Sequence, residues 1–216
     1  CQSTGASLKG KKLGTFGDMG CYSFDYVKVM TTGEGGIVVT DCPELFRQAD
    51  CYHDHGHPHL PATGRGDEKR ARKGFNFRMN EIQGALGIVQ LKKLDYIVSR
   101  QRENKKAIKD MISKTGGIEF RRLLDSEGDI STFLTLLLPD SERAAKFRDR
   151  MKHYGTVPAT LNYWHFIANI EIAGGAFPKS EEILSRSVSL EIRTNMGEPE
   201  ISRIADSIQK SSKDVL

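Results

Sequence analysis

In the second half of the chain, short apolar runs alternate with segments of helical periodicity, and this alternation limits the possible folds most strongly. Residues 118–121, 131–139, 156–159 and 188–192 are predicted strands. A helix capped by Asp140 or Ser141 is predicted to end at Gly155, and further helices are predicted over 180–186 and from Pro199 onward. Strands and helices in this order, with short links, predict an α/β sandwich.

The first 40 residues are rich in glycine, with short apolar pieces between the glycines. Residues 21–24 and 37–40 are predicted to form short buried strands. A helix is predicted over 43–50, with Asp41 as its candidate N-cap. The long polar segment 53–73 follows, and a connection of this length is usually either functional or mobile.

A helix is predicted to start at about Asn80, because apolar residues recur there at helical spacing. The charged stretch 100–109 is predicted to form a further helix. We place a domain boundary at this point, between a first domain of residues 1–98 and a second of residues 99–216.

Composition and charge exclude several classes of protein. No stretch approaches the roughly 18 apolar residues of a membrane helix, so a soluble protein without membrane association is expected. The net charge of +4 comes from scattered Lys and Arg, apart from the run 65–73, which is interpreted as a solvated surface segment. Nucleic-acid binding is therefore not expected. Four cysteines without a CxxC pair favour reduced thiols in a cytoplasmic protein.

Lys28 lies in the segment that carries the most chemical information. A predicted strand ends at Phe24, Lys28 follows in a turn, and the glycine-rich residues 33–36 come next. Ligands of α/β folds bind at such strand ends, and a lysine amine held there can form a Schiff base. Ser23 at the same strand end can donate a hydrogen bond to a phosphate. Position alone does not separate Lys28 from an ordinary solvated surface lysine.

Several segments resemble the DegT/DnrJ/EryC1/StrS family of sugar aminotransferases. The family pattern S-F-x-x-x-K, followed by T-x-G-E-G-G, is matched from Ser23 to Gly36 with Lys28 at the lysine position. Residues 5–18 resemble the stretch before that lysine, and residues 74–85 resemble the pattern G-[YF]-N-[YF]-R-[ML]-x-E-[LI]-Q-A-A. Phe177-Pro178 and the last strand and helix resemble the end of the family's sequence. The resemblance therefore covers essentially the whole chain in the right order.

The resemblance implies an α/β fold, the fold type I of pyridoxal phosphate (PLP)-dependent transferases that aspartate aminotransferase shares. Residues 1–98 would be part of the large PLP-binding domain, and residues 99–216 the small C-terminal α/β domain. Pyridoxal 5′-phosphate would form a Schiff base with Lys28, which then transfers protons. Ser23 would hold the phosphate, and Gln2 would lie near the cofactor's phenolic oxygen. Asn76 would reach the phosphate of the neighbouring subunit, which implies a homodimer with shared sites.

The implied reaction is transamination of a keto or aldehyde sugar, nucleotide-linked, with glutamate as the amino donor. Such a reaction belongs to the biosynthesis of amino sugars and surface polysaccharides. A related branch of the family carries His at this lysine position and performs a dehydration, so Lys28 argues against that branch.

The start of the chain matches the middle of the family's sequence. Members carry D-x-[AS]-[QH] before the glycine-rich stretch, and Cys1 and Gln2 match its last two positions. The Asp would lie two residues before Cys1, so we interpret the chain as the C-terminal part of a longer enzyme. The alternative is a non-catalytic fragment or interaction module that keeps the fold without cofactor.

Weaker signals lie in two other segments. Residues His53, His55, His57 and His59 alternate, and in a strand they would share one face as a metal cluster. Gly56 and Pro58 interrupt any such strand, so no metal site is expected, and His55 becomes a candidate substrate-loop residue. Arg78 is a candidate for anion binding, with a structural salt bridge as the alternative. Trp164 and His165 are candidates for the substrate pocket, with a packed aromatic cluster as the alternative.

Overall fold

The computed structural model describes residues 1–159 and 177–216, so the candidate substrate residues Trp164 and His165 lie outside the described residues. The chain divides into two compact units. Unit 1 comprises Cys1–Ile97 with Asp125–Ile130, and unit 2 comprises Val98–Leu124 with Ser131–Leu216. Asp125–Ile130 joins unit 1 because it bonds to the β1 region, where Ser7 N–H donates to Gly128 O at 2.9 Å. The assignment of a cofactor-binding and a small domain to this chain stays a prediction.

The strands of unit 1 form two antiparallel pairs. Strand β1 (Ser7–Leu8) pairs with β2 (Lys11–Lys12), and β3 (Gly20–Ser23) pairs with β4 (Gly36–Val39). The strands predicted at 21–24 and 37–40 are confirmed to within a residue or so, but their predicted burial is wrong for β4. Ile37 and Val38 are each 49% exposed, because they line an open cavity and are not covered by another element of the described residues.

Helix α1 (Pro43–His53) begins after Cys42, and no side chain caps it. The prediction of Asp41 as its N-cap is therefore wrong. Pro43 occupies the first turn, where a missing N–H costs nothing and the fixed φ suits a helix. This residue is sufficient to define the start of α1.

Helix α2 (Glu81–Met111) is a single helix, so the prediction of a separate helix over 100–109 is wrong. No glycine or proline occurs between residues 88 and 111, so nothing in the sequence interrupts the backbone hydrogen bonds. The boundary between the two units falls inside this helix. Neither α2 nor any other helix in the described ranges combines the length and the apolarity that a bilayer crossing requires.

Unit 2 holds a three-stranded antiparallel sheet with helices packed against it. The sheet order is β5 (Glu119–Phe120), β6 (Phe133–Leu137) and β7 (Ser187–Glu191), with β6 in the centre. The helices are α3 (Ser141–His153), α4 (Pro178–Ser185) and α5 (Glu198–Val215). The strand predicted over 156–159 is reduced to one bridge, between Ala159 and Ser189.

The core of unit 2 lies between its sheet and its helices, which confirms the predicted α/β arrangement. Leu136 of the central strand, Phe147 of α3 and Ile208 of α5 are fully buried in one cluster. Asp140 caps α3 as predicted, since its side chain accepts a hydrogen bond from Arg143 N–H at 2.8 Å. Gly155 follows the end of α3 with φ +78°, as expected for a residue that terminates a helix.

Candidate functional site

Lys28 lies in a loop that the β3–β4 pair closes at its base, which we term the Lys28 loop (residues 24–35). At the base, Phe24 N–H donates to Gly35 O at 2.9 Å, and Thr32 N–H donates to Phe24 O at 2.9 Å. At the apex, Lys28 N–H donates to Asp25 O at 3.0 Å and closes a turn. The backbone around Lys28 is thus fixed by hydrogen bonds at both ends of the loop.

The inside of the Lys28 loop is filled by its own side chains. Phe24, Met30 and Thr32 are buried, whereas Tyr26 and Val27 beside Lys28 are exposed. Lys28 itself is half-buried. Its amine makes no hydrogen bond or ion pair with any residue in the ranges that the structure describes. This loop therefore has a small packed interior and presents an amine without a protein partner from the described residues.

The glycines after Lys28 are required by close backbone approaches. Gly35 has φ +146°, and a Cβ there would lie 2.7 Å from Thr32 Oγ1. At Gly36, a Cβ would lie 2.7 Å from Tyr22 O of the paired strand. Contacts this short exclude a side chain at either position, so the Gly-Gly pair is part of how the loop closes.

The start of α2 is tied to the Lys28 loop through Gln83. Gln83 N–H donates to Asn80 Oδ1 at 2.9 Å, and Asn80 N–H donates to Gln83 Oε1 at 3.1 Å, which together form a capping box. The remaining end of the Gln83 amide, Nε2, donates to Glu34 O at 2.9 Å. Sequence reasoning missed this residue, although the spacing Asn-x-x-Gln before an apolar run is a signal for the capping box.

Ser23 is the last residue of β3, and Gln2 follows a residue that contacts this strand. Ser23 ends the strand, and its Oγ accepts a hydrogen bond from Asp25 N–H at 3.3 Å, at the base of the Lys28 loop. Gln2 is exposed and follows Cys1, whose nitrogen lies 3.3 Å from Cys21 O of β3. Ser23 thus lies at the base of the loop that carries Lys28, and Gln2 is adjacent in sequence to Cys1, which contacts the strand leading into that loop.

A second group of polar side chains is built around Asp54, which sequence reasoning did not single out. Asp54 is 3% exposed and pairs with Asn76 in a β-bridge. Its carboxylate binds His55 Nδ1 at 3.0 Å, the Arg65 guanidinium, and Arg78 Nε at 3.4 Å. Arg78 Nε also donates to Asn76 Oδ1 at 3.0 Å. Two predicted site residues, His55 and Arg78, are therefore gathered by one buried carboxylate, and Asn76 joins them through its backbone bridge to Asp54 and its bond to Arg78.

The surroundings of Asp54 set two pKa values in opposite directions. Burial opposes ionisation of Asp54, but hydrogen bonds from His55 and His59 and the charges of Arg65 and Arg78 hold its pKa well below the usual range. Hydrogen bonds to Asp50 and then Asp54 raise the pKa of His59, against the opposing effect of burial. Asp54 is consequently a carboxylate under all physiological conditions, and His59 favours its charged form.

The alternating histidines are bound to acidic residues or backbone rather than arranged around a common point. His57 Nδ1 lies 3.2 Å from Glu68 Oε2, and His53 Nδ1 bonds to Asp50 O. In the ranges 1–159 and 177–216, no group of three or more His, Cys, Asp or Glu side chains is arranged so that it could hold a metal ion. The interpretation of 65–73 as a solvated segment is wrong for Glu68, whose side chain is 2% exposed and accepts from Leu60 N–H at 2.7 Å.

Two of the cavities that the described residues form lie on unit 1. The larger, of about 1050 Å³, is lined by β3, β4, α1 and Arg78, with aromatic walls from Phe46 and Phe77. The smaller, of about 580 Å³, lies between the Lys28 loop and the start of α2, and Phe24 and Met79 line it. Arg78 is the predicted site residue that reaches the larger cavity, and neither cavity is lined by Lys28 or Asn76.

The sequence matches a known family along most of its length. The profile of the DegT/DnrJ/EryC1/StrS aminotransferase family matches residues 1–209. A GDP-4-keto-6-deoxy-D-mannose 3-dehydratase of Yersinia pseudotuberculosis is 35% identical over 154 residues, which are 65% of this chain and 38% of that protein. A UDP-4-amino-4,6-dideoxy-N-acetyl-beta-L-altrosamine transaminase of Campylobacter jejuni is 37% identical over 99 residues, which are 46% of this chain and 26% of that protein. This chain spans about half the length of the curated relatives it matches most fully.

Solved structures agree with the chain over nearly its whole length. PseC of Helicobacter pylori, an aminotransferase involved in the biosynthesis of pseudoaminic acid, superposes with a TM-score of 0.85 at 23% identity, covering 99% of this chain and 58% of PseC. The sugar aminotransferase CalS13 of Micromonospora echinospora gives 0.83 at 25% identity, covering 97% and 57%. An E. coli GDP-4-keto-6-deoxy-D-mannose-3-dehydratase with bound hydrated PLP gives 0.80 at 22% identity, covering 96% and 58%. These matches confirm the predicted fold, that of fold type I PLP-dependent enzymes.

Proposed function

The chain belongs to the DegT/DnrJ/EryC1/StrS aminotransferase family, and we propose that the protein transfers an amino group to a keto or aldehyde sugar with pyridoxal 5′-phosphate as cofactor. The observation that carries this proposal is the Lys28 loop. It presents a half-buried amine, unpaired among the described residues, from a backbone that hydrogen bonds fix at base and apex. We propose transamination rather than dehydration because a lysine occupies the position at which dehydrating members carry histidine.

Ser23 and Lys28, at the base and at the apex of the Lys28 loop, fit the proposed cofactor. Ser23 supplies a hydroxyl at the base of the loop for the phosphate, and the free amine of Lys28 supplies the point of covalent attachment. When bound, PLP supplies an electron sink that makes the α-proton of an amino acid removable. The incoming amino donor would displace Lys28 from the cofactor, and the released Nζ would take this proton from the donor's α-carbon and return it during transfer. Gln2, which is exposed and follows Cys1, is proposed to approach the cofactor's phenolic oxygen.

Asn76 is proposed to act across a subunit interface. It is exposed and bonds to Arg78 and Asp54, not to the Lys28 loop, within the part of the chain that the structure describes. A homodimer in which Asn76 of one subunit approaches the cofactor phosphate beside Lys28 of the other would use both groups of residues. The functional unit is therefore proposed to be a dimer with shared sites.

The sugar substrate is proposed to be nucleotide-activated, with His55 and Arg78 near its anionic part. Arg78 lines the larger cavity and keeps an exposed guanidinium while Asp54 orients it. The names of the relatives specify GDP- and UDP-linked sugars. We further propose glutamate as the amino donor, a role in surface polysaccharide synthesis and a cytoplasmic location. Trp164 and His165 are proposed as residues of the substrate pocket.

Borohydride trapping tests the attachment of the cofactor. The full-length protein is incubated with PLP, reduced, digested and mapped for pyridoxyl mass. We expect one adduct, on Lys28, that disappears in Lys28→Ala and persists in Lys11→Ala, since Lys11 is an exposed lysine of β2. An adduct spread over surface lysines, or none, would reject the aminotransferase function and favour a fold retained without cofactor.

A separate assay, on protein that has not been reduced with borohydride, tests the reaction itself. With glutamate and a panel of GDP- and UDP-linked 4-keto sugars, we expect the wild-type protein to release 2-oxoglutarate in proportion to the amino sugar formed. Loss of water from the sugar without formation of an amino sugar would instead assign the dehydratase reaction.

A further inference from the structure

We propose that Gln83 is a positioning residue for Lys28. It joins the start of α2 to residues 33–35, the end of the Lys28 loop that leads into β4. The inference rests on the proposed role of Lys28 as the cofactor lysine. Gln83 is half-buried in the first turn of α2, and its side chain crosses to Glu34, the residue between Gly33 and Gly35. Gln83 thereby connects two segments that lie far apart in the sequence.

The orientation of the Gln83 amide is fixed by its two partners. Asn80 N–H can only donate, so the end that faces it must be the oxygen, and Glu34 O can only accept, so the end that faces it must be the nitrogen. Both ends of the amide are therefore used at once. Among the natural side chains, glutamine has the length for position N3 of a capping box together with a donor for a second partner.

Residues 33–35, at the end of the Lys28 loop, depend on contacts from outside the loop to hold their conformation. Gly33 and Gly35 both have positive φ values, of +83° and +146°, and glycine restricts the backbone least. Glu34 O accepts from Thr32 Oγ1 at 2.7 Å as well as from Gln83 Nε2. Gln83 therefore supplies the bond that holds this flexible segment against a helix rather than only against itself.

Helix α2 approaches the Lys28 loop at a second point, beside the smaller cavity. A Cβ on Gly87, one turn beyond Gln83, would lie 3.4 Å from Thr32 Cγ2 and 3.9 Å from Met30 Cε. The first turns of α2 thus approach the buried side of the loop whose apex carries Lys28. A loop held on this side confines the Lys28 amine to fewer positions, and such confinement favours both cofactor binding and reaction.

Gln83→Glu separates the two tasks of Gln83. The carboxylate keeps the acceptor for Asn80 N–H and suits the first turn of a helix, so capping is retained. It cannot donate to Glu34 O, and it places a second oxygen against that carbonyl. Because one net hydrogen bond is lost, we expect amide hydrogen exchange across residues 24–35 of the full-length protein to accelerate about fivefold. We expect the Kd for PLP, measured from the visible absorption of the cofactor, to rise by about the same factor.

Asn80→Ala is the matched control, because it removes the cap and leaves the Gln83–Glu34 bond. We expect it to lower helix stability while exchange across residues 24–35 and the Kd for PLP stay near the wild-type values. If Asn80→Ala reproduces the effects of Gln83→Glu, or if Gln83→Glu changes neither measurement, Gln83 is only a helix cap and the inference is wrong. The two proposals fail in different experiments. The exchange measurement tests the role of Gln83 without cofactor, whereas absence of a Lys28 adduct in the wild-type protein would reject the proposed function.

Discussion

Asp54 illustrates how one buried carboxylate can organise several exposed cations. Its oxygens contact His55, His59, Arg65 and Arg78, and each of these partners keeps between about a third and a half of its side chain exposed. The sequence indicated two of these partners as site residues but not Asp54. Nothing in the local pattern distinguishes Asp54 from other loop aspartates, since its burial comes from the folding of residues 55–78 around it.

Replacement of Asp54 by Asn is expected to destabilise unit 1. Asn keeps the size of the side chain but loses the charge that binds two arginines and two histidines, so we expect the free energy of unfolding to fall by about 2 kcal/mol at pH 7. Urea denaturation measures this change. Asp67→Asn, at an exposed residue of the same segment, serves as the control, and equal effects of the two changes would contradict the organising role of Asp54.

The raised pKa of His59 predicts a stability that decreases with rising pH. Because the folded protein binds this proton more tightly than the unfolded chain, the stabilisation is complete below about pH 6.5 and is lost as pH rises through the folded pKa. Asp54 acts in the opposite direction, and its stabilisation is lost only as pH falls below about 4. We expect His59→Gln to flatten the decrease of the unfolding free energy between pH 6 and 9 that urea titrations measure, whereas an unchanged slope would exclude His59 as its cause.

The secondary structure was predictable wherever a local signal determines it. Apolar periodicity predicted β6, β7, α3 and α5, and Asp140 and Gly155 marked the ends of α3. The prediction failed where charge was interpreted as a break. Helix α2 continues through the charged stretch 100–109 because one face of it, with Gln101, Asn104 and Ile108, is buried. It also overestimated burial of β4, since hydropathy reports what a strand can bury and not whether a neighbouring element covers it.

The site was predictable where its residues are adjacent in sequence. Lys28, Ser23 and the glycines after them lie in or directly beside one loop, so the pattern that indicated them also placed them together. The bond from Gln83 to Glu34 joins residues with no local relation. Such a contact depends on tertiary structure, and a single sequence carries no direct signal for it.

The central strand of unit 2 offers a test of the core. Leu136 is fully buried, and we expect Leu136→Ala to lower the free energy of unfolding by about 2–5 kcal/mol, because it removes packed atoms and leaves a cavity. Phe133→Ala on the same strand is the control, since Phe133 is 37% exposed; its effect should be about 1 kcal/mol or less. Thermal or urea denaturation of both variants measures the difference, and a larger loss for Phe133→Ala would contradict the assigned core.

Among the described residues, unit 1 exposes more large apolar side chains than unit 2 does. Phe77, Ile82 and Leu91 of unit 1 are more than half exposed, and apolar side chains line both the larger and the smaller cavity. Groups of exposed apolar side chains mark surfaces that other protein segments cover. This distribution supports a site completed by further polypeptide, as the proposed dimer requires.

Mixing two inactive variants tests the proposed sharing of sites. In a dimer that takes Lys28 from one subunit and Asn76 from the other, a heterodimer of Lys28→Ala and Asn76→Asp has one site with both changes and one site with neither. We expect each variant alone to be nearly inactive, and the mixture, refolded together, to recover about a quarter of wild-type activity by random pairing. No recovery, although sedimentation shows that heterodimers form, would place Lys28 and Asn76 in the same subunit's site.

The pairing at the base of the Lys28 loop also restricts how this protein can diverge. Ser23 faces Gly36 across the two strands, and the loop between them is closed by backbone hydrogen bonds at its base and filled by Phe24, Met30 and Thr32. An added residue would either disturb this packed interior or slip the strand pairing by one, which would turn Ile37 and Val38 to opposite faces. Descendants of this gene are therefore expected to differ within the loop by substitution, while insertions and deletions accumulate in connections that no strand pair closes. The number of residues between Ser23 and Gly36 should accordingly be inherited more strictly than most of the side chains among them.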